Sequence, residues 1–70
     1  MRKELKIYKG YTTRDEQEKK AEWLRQRINQ KVIIDEFIGV LVGIRMFDDW
    51  YAKNDETYII EIELKDVEVI

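Results

Sequence analysis

Cysteine, histidine, serine and proline are all absent from this 70-residue chain, and only three glycines occur. Without cysteine there is no disulfide and no thiolate chemistry. Without histidine there is no imidazole base and no zinc or copper site of the ordinary nitrogen and sulfur type. The usual nucleophile–base triads are excluded with them. Gly10, Gly39 and Gly43 are too scattered to form a phosphate-cradling loop or a dinucleotide fingerprint. No linker, low-complexity run or internal repeat breaks the chain, which reads as a single domain over residues 1–70. The longest strongly apolar stretch, FIGVLVGI from Phe37 to Ile44, falls far short of the roughly 20 residues a membrane helix needs. The N-terminus also lacks the apolar segment of a secretory signal. The expectation is a soluble, cytoplasmic protein.

Length sets the next bound. A chain this short buries only about 60% of the surface its unfolded form exposes. Domains near this size are usually supported by a disulfide, a metal, a partner subunit or very good packing. With the first two removed, packing and self-association remain.

Net charge is only −2, yet it is distributed unevenly. Residues 1–31 carry ten Lys and Arg against five Asp and Glu, a net +5, while residues 32–70 carry three against ten, a net −7. Such clusters steer partners. They also allow a basic N-terminal half to attract an acidic C-terminal half within one fold.

Four elements are legible. Residues 4–11 alternate as a strand, with Leu5, Ile7 and Tyr11 on one phase and lysines that suit an edge. Thr13 followed three residues later by Glu16 is a capping-box pattern, and it predicts a helix over 14–30. The apolar stripe of that helix, Ala21, Leu24 and Ile28 flanked by Trp23, covers one sheet face. Strands are predicted over 33–47 and 57–69. The first is apolar on both phases and so expects cover on both faces. The second switches phase between Leu64 and Val67, which predicts a bulge at Lys65–Asp66. The order strand, helix, strand, strand gives an α+β fold, an antiparallel three-stranded curved sheet packed on one helix with the first strand beside the last. A small β-barrel with one helix is the alternative, and a homodimer or higher oligomer is expected from the doubly apolar strand.

No catalytic residue, cofactor or metal is assigned, and the chain reads as a non-enzyme. Adjacent acids such as Asp48 with Asp49 or Asp55 with Glu56 are suited to oxygen-loving cations, but neither spacing fits a calcium loop. The segment FDDWYAKNDE, residues 47–56, instead sets aromatics among acids. Trp and Tyr are favoured at interface hot spots, and rim charges set partner choice. The predicted protein-binding surface is therefore Asp48, Asp49, Trp50, Tyr51, Asp55, Glu56, Glu61 and Glu63. The partner is a larger protein, engaged through a basic groove of the kind that holds nucleic acid. Inhibitors and adaptors carried by phages and mobile elements are analogous in size and charge. The other reading of Trp50 and Tyr51 is a lid over a small core.

A second functional class is single-stranded nucleic-acid binding, through Lys6, Tyr8, Lys9, Tyr11, Arg25 and Arg27, because stacking aromatics on a basic surface hold single strands. Acids interspersed among these residues weaken phosphate affinity. The stretch GVLVGIRMFDD resembles the second and third strands of Sm-like small barrels. The asparagine of the following loop and the second signature of that family are missing, so the resemblance carries no assignment.

Overall fold

A computed structural model describes residues 3–53 and 56–70, and of residues 49–53 and 56 the backbone only. It contains β1 (Glu4–Tyr11), α1 (Arg14–Arg25), β2 (Lys31–Ile34), β3 (Phe37–Lys53) and β4 (Glu56–Val69). The strands form one antiparallel sheet in the order β1-β4-β3-β2, curled into a half-barrel with α1 on its inner face. The fold is α+β, with β1 beside β4.

The sheet has four strands rather than three, because the predicted strand at 33–47 is a hairpin. Asp35 adopts a left-handed φ of 55°, a conformation that Asp tolerates better than most side chains. With Glu36 it reverses the chain between Ile34 and Phe37, which are paired. Val32 and Ile34 are buried on one phase of β2, and Ile33 is exposed on the other.

The Thr13 side chain accepts the Glu16 amide, and the Glu16 carboxylate accepts both threonine hydroxyls in return. The helix ends at Arg25, short of the predicted Gln30. Apolar periodicity continues to Ile28, but tertiary pairing claims the backbone there. The Asn29 amide donates to the Leu41 carbonyl at 2.8 Å, and the Leu41 amide donates to Gln30 at 3.0 Å. Asn29 turns left-handed at φ 68° to make this junction.

The core is Ala21 and Leu24 from the helix against Val32, Ile34, Leu41, Ile60, Ile62, Leu64 and Val67. Fully burying a side chain such as Leu24, Leu41 or Ile62 contributes about 1.5–3 kcal/mol. Two bulges decide which residues reach this core. In β3, Val42 is an extra residue between the pairs Leu41↔Leu64 and Gly43↔Glu63. In β4, Asp66 and Val67 stand opposite Gly39 alone, with Asp66 at φ 53°. Phe37 and Leu41 therefore face inward before the first bulge, and Ile44 and Met46 after it. The two apolar phases of β3 are largely one core-facing set that changes phase at Val42. This removes most of the need for a second cover that the doubly apolar strand implied. On the uncovered face Tyr8, Ile33 and Val42 are exposed large hydrophobic side chains.

Among the described residues, no helix is long and apolar enough to cross a membrane.

Candidate functional site

The strands differ in length, and this builds the feature that dominates the surface. β1 last pairs at Tyr11↔Tyr58 and β2 reaches only Val40, while β3 and β4 pair at Asp48↔Tyr58 and, past a register irregularity, again at Lys53↔Glu56. The end of the β3–β4 hairpin is a two-stranded arm projecting past both edge strands. Its described backbone beyond the last β1 pair is residues 49–53 and 56–57.

The root of the arm is fixed from the helix side. Gln17, fully buried, donates its side-chain amide to the carbonyls of Phe47 at 3.0 Å and Ile59 at 3.1 Å. These two residues are register partners on β3 and β4, so one side chain ties both strands to the helix. Among the described residues, the Gln17 Oε1 has no hydrogen-bond partner. Arg14 pairs with Asp48 and lies 5.5 Å from the centroid of the Tyr58 ring. The hydrogen bond and charge of Asp48 hold the guanidinium above its already high ordinary pKa.

The predicted protein-binding residues divide into three groups. Asp48 is exposed and engaged by Arg14. The side chains of Asp49, Trp50, Tyr51 and Glu56, and Asp55 altogether, lie outside the described residues. Glu61 and Glu63 lie on the sheet face opposite the helix, away from the arm's end. Glu61 is only 7% exposed. It stands between Tyr8 and Arg45 in register and accepts the Tyr8 hydroxyl at 2.9 Å. That hydrogen bond, followed by desolvation, raises the Tyr8 pKa above its ordinary value. Glu61 is thus a member of a cross-strand ladder. Glu63 is half-buried, with Lys6 on one side and Gly43 on the other.

The predicted nucleic-acid residues are not gathered on one surface. Lys6 and Tyr8 share the outer sheet face with Glu61 and Glu63. Lys9 and Tyr11 belong to the opposite phase of β1. Lys9 is bound to Asp35 at 2.7 Å, and Tyr11 packs against the core, where burial raises its pKa. Arg25 donates to the Met46 sulfur at 3.2 Å, and Arg27 lies over the Trp23 ring at 3.8 Å. The ion pairs Lys9–Asp35 and Arg14–Asp48 each join the basic half of the chain to the acidic half. Part of the charge asymmetry is therefore consumed within the fold.

Sequence reasoning missed two things. Gln17 carried no signal beyond its place one turn before Ala21. The stack of Lys20 at 4.3 Å and Arg27 at 3.8 Å on Trp23 was legible from the spacing of three and four residues.

A cavity of about 550 Å³ lies at the other end of the strands, lined by Leu5, Phe37, Val67 and Val69 with Lys3, Glu4 and Glu68. Among the described residues, no group of three or more acids could hold a metal ion. In comparisons with known proteins, no family model, curated protein or solved structure matches the chain.

Proposed function

We propose that the protein is a non-catalytic protein-binding module, an inhibitor or adaptor that docks the β3–β4 arm onto a larger protein. The observation that carries this reading is the reach of the arm beyond β1 and β2. A two-stranded arm free of flanking strands enters a groove that a compact sheet cannot. Its sequence supplies Asp48, Asp49, Trp50, Tyr51, Asp55 and Glu56, aromatic anchors with an acidic rim. A basic groove, such as the nucleic-acid channel of a larger protein, is the complementary surface. The scattering of Lys6, Tyr8, Lys9, Tyr11, Arg25 and Arg27 over both sides of the sheet favours this over nucleic-acid binding.

The test is capture of partners from the native host on immobilised protein, comparing the wild type with a Trp50→Ala, Tyr51→Ala double variant. The double variant is expected to lose the captured partner while circular dichroism and thermal midpoint stay nearly unchanged. A large fall in midpoint would assign both rings to the core. Tight, salt-sensitive binding of single-stranded DNA or RNA by the wild type would favour the rival class.

A further inference from the structure

We propose a small-molecule site in the cavity at the end of the strands away from the arm. It takes an apolar carboxylate of medium chain length, with the chain against Leu5, Phe37, Val67 and Val69 and the head at Lys3. It goes beyond the function proposed above and depends on no residue of the arm.

The cavity exists because the sheet outruns its helix. Gln17 fixes α1 to Phe47 and Ile59 at the root of the arm, and Ala21 and Leu24 fill the middle of the core. No helix residue lines the cavity of about 550 Å³. The inner face of the sheet is bare there. Val67 and Val69 share one phase past the bulge at Asp66, and Val69 pairs with Phe37, which packs on the core. Val69 is nonetheless 65% exposed, although its phase faces inward. Leu5 closes the cavity from β1. A concave, mostly apolar pocket of this size is the usual setting for a small ligand.

The charges beside the cavity choose the ligand. Lys3, Glu4 and Glu68 complete its lining. Lys3 shares a phase with Leu5 and Ile7, both packed on the core, which sets its ammonium on the inner face. Its carbonyl accepts the Val67 amide at 3.2 Å, so the pairing of β1 with β4 extends to this residue. Glu4 and Glu68 fall on the opposite phase. Glu4 stands beside the exposed Lys65, and Glu68 beside Ile38 on the uncovered face. Among the described residues, the Lys3 ammonium makes no hydrogen bond or ion pair. An anionic head therefore meets an unused cation, and an apolar tail meets four apolar side chains. An alkylammonium would instead set like charge against Lys3.

The probe is octanoate, titrated into the full chain and followed by amide NMR spectra, with octylammonium and hexanoate as controls. Saturable shifts are expected at Leu5, Phe37, Val67 and Val69 and their neighbours, while the amides of Gln17, Phe47 and Ile59 stay in place. Octylammonium should bind at least roughly tenfold more weakly, because a like charge replaces an opposite one beside Lys3. Hexanoate, two methylenes shorter, should also be roughly tenfold weaker, since each buried methylene is worth about fourfold. Lys3→Glu should reverse the order and favour octylammonium at the same amides, an outcome that an unfolded variant cannot give. Val69→Trp, at a position already exposed, should fill the cavity and abolish octanoate binding while the thermal midpoint stays nearly unchanged. No saturable binding, equal binding of the two ions, a wild-type preference for octylammonium, or shifts centred elsewhere would each overturn the proposal. Loss of the Trp50 and Tyr51 rings should leave the titration unchanged, which separates a failure of this site from a failure of the arm.

Discussion

Gly39 and Gly43 lie four residues apart on β3, and replacing each with alanine should shift stability in opposite directions. Neither has a positive φ, so alanine is conformationally allowed at both. At Gly39 a Cβ would come 3.0 Å from the Lys65 carbonyl oxygen, 3.1 Å from the Val67 Cγ2 and 3.3 Å from the Leu64 Cβ. The nearest of these is backbone, on the segment of β4 that bulges opposite Gly39, so it cannot simply rotate away. Overpacking of this kind costs about 1–3 kcal/mol. The smaller unfolded-state entropy of alanine offsets about 0.4–1 kcal/mol of that. The net for Gly39→Ala is a loss of about 1–2 kcal/mol, or roughly 4–16 °C in thermal midpoint for a domain of this size. Gly43→Ala meets nothing, keeps only the entropic term, and should gain about 0.4–1 kcal/mol. Urea unfolding followed by circular dichroism measures both. The slope is on the order of 1 kcal/mol/M, so the midpoint should fall by about 1–2 M for Gly39→Ala and rise for Gly43→Ala. If Gly39→Ala is as stable as the wild type, or if both variants move the same way, the close approach of the bulged β4 to Gly39 is refuted.

Two further outcomes follow from buried polar contacts. Gln17→Glu places a carboxylate against the carbonyls of Phe47 and Ile59 and should cost about 3 kcal/mol or more at neutral pH. Thermal melts should show it partly recovered on acidification, as that carboxyl protonates, while Gln17→Met loses a smaller amount that does not vary with pH. Tyr8 and Tyr11 both have pKa values raised above the ordinary 10.0, so the fold binds their phenolic protons more tightly than the unfolded chain does. Their contribution to stability is complete below pH 10 and is lost as pH rises through the folded values. Denaturation between pH 8 and 11 should be flat and then decline, with a shallower decline in Tyr8→Phe.

The helix start and the bulge near Asp66 are written in local signals, and the element order gives the α+β class and the simplest placement of β1, beside β4. Thr13 and Glu16 cap by short-range hydrogen bonding, and the phase switch from Leu64 to Val67 is visible in the sequence because strand periodicity is strict. The absence of histidine, cysteine and serine likewise narrows the chemistry before any fold is known. Other features depend on contacts between segments far apart in sequence. The helix stops at Arg25 because Leu41 takes the backbone of Asn29 and Gln30. The single strand at 33–47 becomes a hairpin because Asp35 accepts a left-handed turn once Val32 and Ile34 can be buried. Val42 bulges because only then do Leu41 and Ile44 both reach the core. Glu61, which reads as a surface acid, is enclosed because Tyr8 and Arg45 arrive beside it from other strands. The reach of the β3–β4 hairpin past β1 and β2 is a difference in strand length across a sheet. Periodicity within one strand does not record how far its neighbours extend, so only the tertiary structure decides it.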